Sequence, residues 1–329
     1  MEENMYPLKF NNIYYEKIWG GRDFEEFRTN LPEGKIGESW DIACHKNGTG
    51  TVVNGSLKGK TLQEIFEHYP LEIIGSKIME DRFPLLLKLI NAREPLSVQV
   101  HPSDEYGLKM ENDFGKTEAW YVLSAEENSY LILGTKDTSK EEFKHALLEN
   151  RDLTPYLNEV KVKEGETFFI RSGLLHAIGP GLVIYEIQQN SDTTYRVYDY
   201  GRPRELHVEK SLDVIDFELK GEAKTGIKRM IPGGIKTNLI LNEYFSLEKY
   251  EVKGMVQEHS DPERFYIFTV ANGEGEIGYE DGSEALRKGD SVLIPASLGK
   301  YSLKGNFTLL KAYVPEMKKV QEEIMMEIL

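Results

Sequence analysis

Cysteine is almost absent: Cys44 is the only one in 329 residues. No disulfide can form within such a chain, so a reducing compartment, the cytoplasm, is its expected home. Cys44 itself reads as a small buried apolar residue. Long apolar runs are lacking too. No stretch approaches the roughly 20 residues that a bilayer-crossing helix needs. The first residues, Met1-Glu-Glu-Asn-Met-Tyr-Pro7, have neither the basic start nor the apolar run of a signal peptide. Basic charge is in deficit, with 40 Lys and Arg against 55 Asp and Glu and a net charge of −15. Nucleic acid and anionic membrane both demand a basic face, so neither is an expected partner. A small anionic substrate stays open, because a few local cations hold a phosphate against an acidic background. The remainder, 40% hydrophobic and 29% charged, fits a soluble globular chain long enough for two domains.

Strand signal is abundant. Short runs rich in Val, Ile, Tyr and Phe alternate with Gly, Asn and Asp, as in Thr51-Val-Val-Asn54, Tyr130-Leu-Ile-Leu133, Val183-Ile-Tyr-Glu-Ile187, Phe265-Tyr-Ile-Phe-Thr-Val270 and Val292-Leu-Ile-Pro295. This spacing predicts a mainly β chain built as a sandwich or barrel. Helical signal is sparse. Thr61 with Glu64, and Ser139 with Glu142, form capping-box patterns at the head of helically spaced apolar positions. The tail from Pro315 to Leu329 reads as an amphipathic helix.

Four polar residues interrupt the apolar runs. Gln99 and His101 lie two apart in Pro95-Leu-Ser-Val-Gln-Val-His-Pro102, so on a strand they leave from one face. Glu118 enters the run Gly115-Lys-Thr-Glu-Ala-Trp-Tyr-Val-Leu123, and His176 ends Phe168-Phe-Ile-Arg-Ser-Gly-Leu-Leu-His176. Two imidazoles, a carboxylate and an amide oxygen form a donor set suited to a divalent transition metal with an open position. Spacing alone leaves the other option open, that these are unrelated polar residues at strand ends. His45, His68, His145 and His207 have no partner at metal spacing and read as ordinary surface or packing residues.

The run Val162-Lys-Glu-Gly-Glu-Thr-Phe-Phe-Ile-Arg-Ser-Gly-Leu-Leu-His176 has an echo 124 residues on, Leu286-Arg-Lys-Gly-Asp-Ser-Val-Leu-Ile-Pro-Ala-Ser-Leu-Gly-Lys300. Gly165 matches Gly289, Glu166 matches Asp290, Ile170 matches Ile294 and His176 matches Lys300. The pattern resembles the second motif of the cupin superfamily of small β-barrels. The first cupin motif is then Gln99-x-His101 with Glu118 in one copy, and Gln257-x-His259 with Glu263 in the other. The implied architecture is two cupin-type, jelly-roll barrels with short helical insertions. Residues 1–220 form the first, with insertions near 60–80 and 137–157, and residues 221–329 form the second, with the terminal helix. An ammonium cannot ligate a metal and repels one, so Lys300 makes the second barrel an expected metal-free copy.

With the repeat in place, the chain resembles the type I phosphomannose isomerases in their short bacterial form. The resemblance rests on Tyr15-Glu-Lys-Ile-Trp-Gly-Gly21, Gly37-Glu-Ser-Trp40, Pro95–Pro102, Gly115–Tyr121, Ser172-Gly-Leu-Leu-His-Ala177 and Gln189-Asn-Ser-Asp-Thr-Thr-Tyr-Arg196, in the family's order. The resemblance implies one zinc held by Gln99, His101, Glu118 and His176. It also implies aldose–ketose isomerisation of mannose 6-phosphate and fructose 6-phosphate through a cis-enediol, which needs an electrophile and a general base. Arg196 matches the family's active-site arginine and is assigned to charge stabilisation, because a guanidinium does not deprotonate. Lys116, two before Glu118, is a candidate base or proton shuttle whose pKa burial and a metal would depress. Asp192 and Glu186 compete for that role.

Arg202 matches the phosphate-contacting position, with Arg204 as a surface charge. Ser97 shares the face of Gln99 and reaches phosphate or sugar. Trp19 offers a stacking surface, and Trp19, Glu38 and Asp192 line the cleft in this reading. The short insertions imply an open site and leave substrate breadth unspecified, as is the oligomeric state. Two rivals make other predictions. A sugar-binding or regulatory cupin would have lost a ligand or Arg196, and an Fe(II) oxygenase would need dioxygen and an organic co-substrate rather than a pair of arginines.

Overall fold

The computed structural model describes residues 5–78, 82–149 and 151–328. Positions 79 and 80 of the first expected insertion, 150 of the second, and Leu329 of the tail lie outside the described residues. Strands dominate the fold. A six-stranded antiparallel sheet runs Ile13–Gly21, Ile36–Ile42, Leu85–Ala92, Leu182–Gln189, Glu118–Ala125, Thr167–Ile170. Opposite it stands a five-stranded sheet, Tyr195–Tyr198, Val98–Val100, His176–Ile178, Tyr130–Thr135, Leu157–Lys161. A core containing Trp120, Val122, Ile184, Leu131, Leu133 and Ile178 fills the space between the two sheets. The C-terminal part is a seven-stranded sheet from Ile227 to Tyr313, wrapped on Tyr250, Phe268, Ile294 and Leu303. Val320 and Ile324 of the last helix, Met317–Ile328, pack into the same core.

The six-stranded sheet is buried on both faces, and this explains its near-continuous apolar sequence. Along Leu85–Ala92, Leu85, Leu87 and Leu89 enter a core shared with Ile267, Leu293, Leu310 and Ala312 of the C-terminal sheet. The strand period of two sends Lys88 and Ile90 to the other face. Glu186, between Tyr185 and Ile187 of the shared core, leaves its strand in the same way. The expected boundary at 220/221 falls between Val208–Val214 and Ile227–Ile231 in the chain, while the largest apolar core crosses it.

The repeat is visible as structure. Strands Thr167–Ile170 and Ser291–Ile294 lie at the repeat's own offset, each preceded by a glycine, Gly165 at φ +87° and Gly289 at φ +84°. Both turns need the left-handed backbone that glycine adopts without a Cβ clash. The capped helices are also present. Thr61 accepts from Glu64 N in a full capping box before Leu62–His68, and Ser139 caps Lys140–Leu148. Thr51–Asn54 is not a strand. Thr51 and Val52 make single bridges to Thr61 and Phe10, and the Asn54 amide then turns to Lys9 N and Pro7 O. Two helices, Asp104–Glu111 and Val208–Val214, were not anticipated. The first had a readable signal in Ser103 followed by Asp104 and Glu105.

Candidate metal centre and active-site cleft

Strand pairing assembles the quartet. Gln99 is flanked in its sheet by His176 on one side and Arg196 on the other. Glu118 opens a strand of the facing sheet, so the centre lies between the two layers. The side chains of His101, Glu118 and His176 are wholly buried, with their ligating atoms within 4.8 Å of one another. Glu118 Oε2 stands 3.5 Å from His101 Nε2, and Oε1 stands 3.5 Å from His176 Nε2. The Gln99 amide end lies 3.3 Å from His176 Nε2.

Each imidazole is oriented from behind, His101 Nδ1 by Thr193 O at 3.0 Å and His176 Nδ1 by Leu174 O at 2.8 Å. Carbonyls there fix the tautomer that turns both Nε2 atoms inward as acceptors. Among the described residues His101 Nε2 and Glu118 Oε1 have no hydrogen-bond partner, while Glu118 Oε2 is met by the Lys116 ammonium at 2.9 Å. Buried polar atoms left bare are costly. A divalent cation bound by these N and O donors satisfies the orphaned atoms, so the residues fit a metal.

Electrostatics point the same way. Burial pushes His101 down to about 3, with the Lys116 ammonium adding to the effect, and burial lowers His176 as well. Neutral imidazoles are the form that ligates. Burial alone would raise Glu118, but Lys116 and the imidazoles outweigh it and hold the carboxyl well below its usual range.

A cleft of about 280 Å³ is lined by Gln99 of the quartet and by Lys116, whose ammonium lies against Glu118. Five cations, Lys17, Lys88, Lys116, Arg196 and Arg204, face three carboxylates, Glu38, Glu186 and Asp192. A larger cleft of about 1080 Å³ lies between Arg28 and Lys304, but it is lined by none of the quartet. Within the smaller one, Lys88 Nζ sits 3.8 Å from Glu186 and 3.7 Å from Asp192, over the Trp40 ring. Burial and the Glu118 carboxylate push Glu186 up to about 7, against the pull of Lys116 and Lys88.

Of the expected substrate-side residues, Ser97, Trp19, Glu38, Asp192, Arg196 and Lys116 all line this cleft. At Lys116 burial favours the neutral amine, as expected, while the Glu118 and Glu186 carboxylates oppose it and raise Lys116 above the ordinary lysine range when no metal charge offsets them. Arg202 is not brought to the cleft lining. It donates to Pro95 O at 2.8 Å and pairs with Asp199 at 2.9 Å. Arg204, read as a surface charge, lines the cleft instead, gripped by both Asp199 oxygens at 2.7 and 2.6 Å.

In the second copy the motif residues diverge. Gln257 and His259 are exposed, Lys300 stands opposite His259, and Glu263 pairs with Lys319 and Arg264. Lys88 was missed, although a lysine inside Leu85-Leu-Leu-Lys-Leu-Ile90 is itself a signal. His207, read as unremarkable, accepts the Arg196 N–H at Nδ1.

These shifts predict the acid stability of metal-free protein. His101 protonates near 6.5 when unfolded and near 3 when folded, so stability declines as pH falls through that window, about 1.4 kcal/mol per pH unit. Glu186 acts oppositely from its ordinary 4.5 up to about 7, where the folded state holds the extra proton. Glu186 thus offsets only one of the two buried imidazoles between pH 4.5 and 6.5, because His176, also lowered by burial, adds to the decline. Below 4.5 Glu186 offsets nothing further and Glu118 joins the decline, because its lowered carboxyl also stabilises less as pH falls. The Tm of chelated protein should therefore fall with pH below about 6.5 and more steeply below about 4.5. A Tm that stays level from about pH 6.5 to about pH 4, followed by circular dichroism, would contradict these protonation states.

Comparison with known proteins agrees with this geometry. The family described as phosphomannose isomerase type I, catalytic domain, matches residues 7–143, and mannose-6-phosphate isomerase, cupin domain, matches 235–314. Mannose-6-phosphate isomerase ManA of Bacillus subtilis (strain 168) is 40% identical over 307 residues, covering 91% of this chain and 96% of that protein. The mannose-6-phosphate isomerase of Streptococcus mutans is 36% identical over 318 residues, covering 94% and 99%. The crystal structure of mannose 6-phosphate isomerase from Bacillus subtilis superposes with a TM-score of 0.88 at 36% identity, over 94% of this chain and 99% of that one. A buried two-histidine, one-glutamate centre beside a cationic cleft, on a fold shared over nearly the whole length, places the chain in the type I phosphomannose isomerase family of cupins.

Proposed function

We propose that this chain interconverts mannose 6-phosphate and fructose 6-phosphate by moving a proton between C2 and C1 through a cis-enediol. The observation that carries the reading is the buried His101–Glu118–His176 centre joined through Gln99 and Lys116 to a cleft with five cations. Gln99, His101, Glu118 and His176 would hold one divalent ion, zinc in our reading. When bound, such an ion supplies an electrophile for the sugar oxygens and offsets negative charge developing on them.

The chain's own residues do the rest. Glu186, with a carboxyl near 7, is poised to take and return the carbon-bound proton at neutral pH. Lys116 remains an ammonium and donates to a sugar oxygen. Arg196 stabilises negative charge near the transferred proton. Arg204 and Ser97 receive the phosphate, a role that passes to Arg204 because it lines the cleft while Arg202 turns to Pro95 O. Trp19 supports the sugar face, and Glu38 and Asp192 accept its hydroxyls. Residues 1–220 carry this site, and 221–329 form a second, metal-free barrel. No helix among the described residues is long and apolar enough to cross a membrane, and the lone Cys44 fits a cytoplasmic setting.

The decisive assay couples appearance of fructose 6-phosphate from mannose 6-phosphate in native, chelated and re-metallated protein. Turnover should vanish on chelation and return with a divalent ion. Absence of turnover in metal-loaded protein, or full turnover after chelation, would refute the proposal.

A further inference from the structure

We infer that Trp120 is a positioning residue, a single buried indole that holds a cleft carboxylate and a metal-ligating imidazole in their working orientations. Its Nε1 donates to Glu186 Oε2 at 2.8 Å. Its ring meets the His176 ring at 5.4 Å between centroids, with 74° between planes. The side chain is fully buried. Both contacts follow from strand geometry. Trp120 pairs with Glu186 on one neighbouring strand and with Phe168 on the other. It also shares the inward face of its own strand with Glu118, two residues earlier.

Packing alone does not account for a tryptophan here. A phenylalanine or leucine would fill this interior without a donor that must be satisfied. The N–H has a defined effect, because it takes Oε2 and leaves Oε1 of Glu186 facing Lys88, 3.8 Å away. The same division recurs across the cleft at Glu38, where the Trp40 indole takes Oε2 at 2.9 Å and Lys17 takes Oε1 at 2.9 Å. A carboxylate held by an indole at one oxygen and drawn by an ammonium at the other presents its remaining lone pairs in one direction. Trp120 thereby acts on the reaction through Glu186, while its ring restrains the imidazole that Leu174 O orients from behind. This inference rests on the proposed isomerase reading in giving Glu186 the proton.

The test is a kinetic double-mutant cycle of Trp120→Phe and Glu186→Gln, with metal content measured on every protein. Trp120→Phe keeps an aromatic edge toward His176 and removes the N–H. We expect it to retain metal and KM while kcat falls about 10- to 100-fold, the range for a partner one shell out. In the Glu186→Gln background the same change should alter kcat less than about twofold. An unchanged kcat, or an equal loss in both backgrounds, would overturn the inference, the latter marking Trp120 as packing alone, and loss of metal would overturn the assignment of the effect to the N–H. Full activity in Glu186→Gln would overturn it as well, by removing the group through which Trp120 acts. No turnover in the unaltered enzyme would instead count against the isomerase reading. Should Trp120→Phe fail to fold, 3-benzothienylalanine at position 120 keeps the bicyclic shape and deletes only the N–H, with the same expected values.

Discussion

His176→Ala should lower turnover of mannose 6-phosphate by about 10³-fold or more and leave the purified protein without its divalent ion. The size follows from several kcal/mol of Lewis-acid assistance, at about 1.4 kcal/mol per decade. The fold should survive, because His176 is neutral and its removal strands no charge. Glu118→Gln is the informative contrast. It also removes a ligand, but it deprives the buried Lys116 ammonium of a partner 2.9 Å away. An uncompensated buried charge costs about 3–5 kcal/mol, so this variant should lose metal, activity and thermal stability together. Metal analysis, steady-state kinetics and melting curves separate the cases. Full activity in metal-depleted His176→Ala would remove the centre from the reaction, and a Tm in Glu118→Gln equal to that of His176→Ala would deny the Lys116 ion pair its structural weight.

The centre was legible because its ligands break strong local patterns. A glutamine and a histidine two apart in a strand, and a histidine closing a glycine turn, have no other economical explanation once the repeat exposes Lys300 at the matching position. The cleft beside it was less legible, for a physical reason. Lys88, Glu186 and Trp120 lie on three adjacent strands, and their convergence depends on register, Glu186 opposite both Lys88 and Trp120, which no local pattern encodes. Lys116 shows a second limit. Burial was foreseeable, but the sign of its shift hangs on carboxylates from two strands. Arg202 and Arg204 show a third, since both flank Pro203 and both pair with Asp199, and what sets them apart is the Pro95 carbonyl, 107 residues away in another segment, that takes the Arg202 guanidinium. Helix ends fared well at Thr61 and Ser139 because capping is local, and poorly at Val208–Val214, which has no side-chain cap.

Arg196→Gln should cut kcat by about 10²- to 10³-fold with KM for mannose 6-phosphate nearly unchanged, the range for one preorganised donor aimed at developing charge. Its geometry argues for that role. The backbone pairs directly with Gln99, the N–H is fixed on His207 Nδ1 at 3.1 Å, and Nη1 is tied to Glu205 O at 2.7 Å. The guanidinium is thus held in the cleft lining, on the strand next to Gln99, by contacts unrelated to substrate. Arg196→Lys should fare little better, because one ammonium cannot keep the Glu205 anchor and still present a planar donor face. Arg204 differs in kind. Its fork is spent on Asp199, and what it offers the cleft is charge that binds ground and transition states alike. Arg204→Gln should therefore raise KM for mannose 6-phosphate about tenfold and leave kcat within about twofold, the mark of uniform binding. The crossed outcome, an intact kcat in Arg196→Lys with a collapsed kcat in Arg204→Gln, would exchange their assignments and move the phosphate to the other end of the cleft.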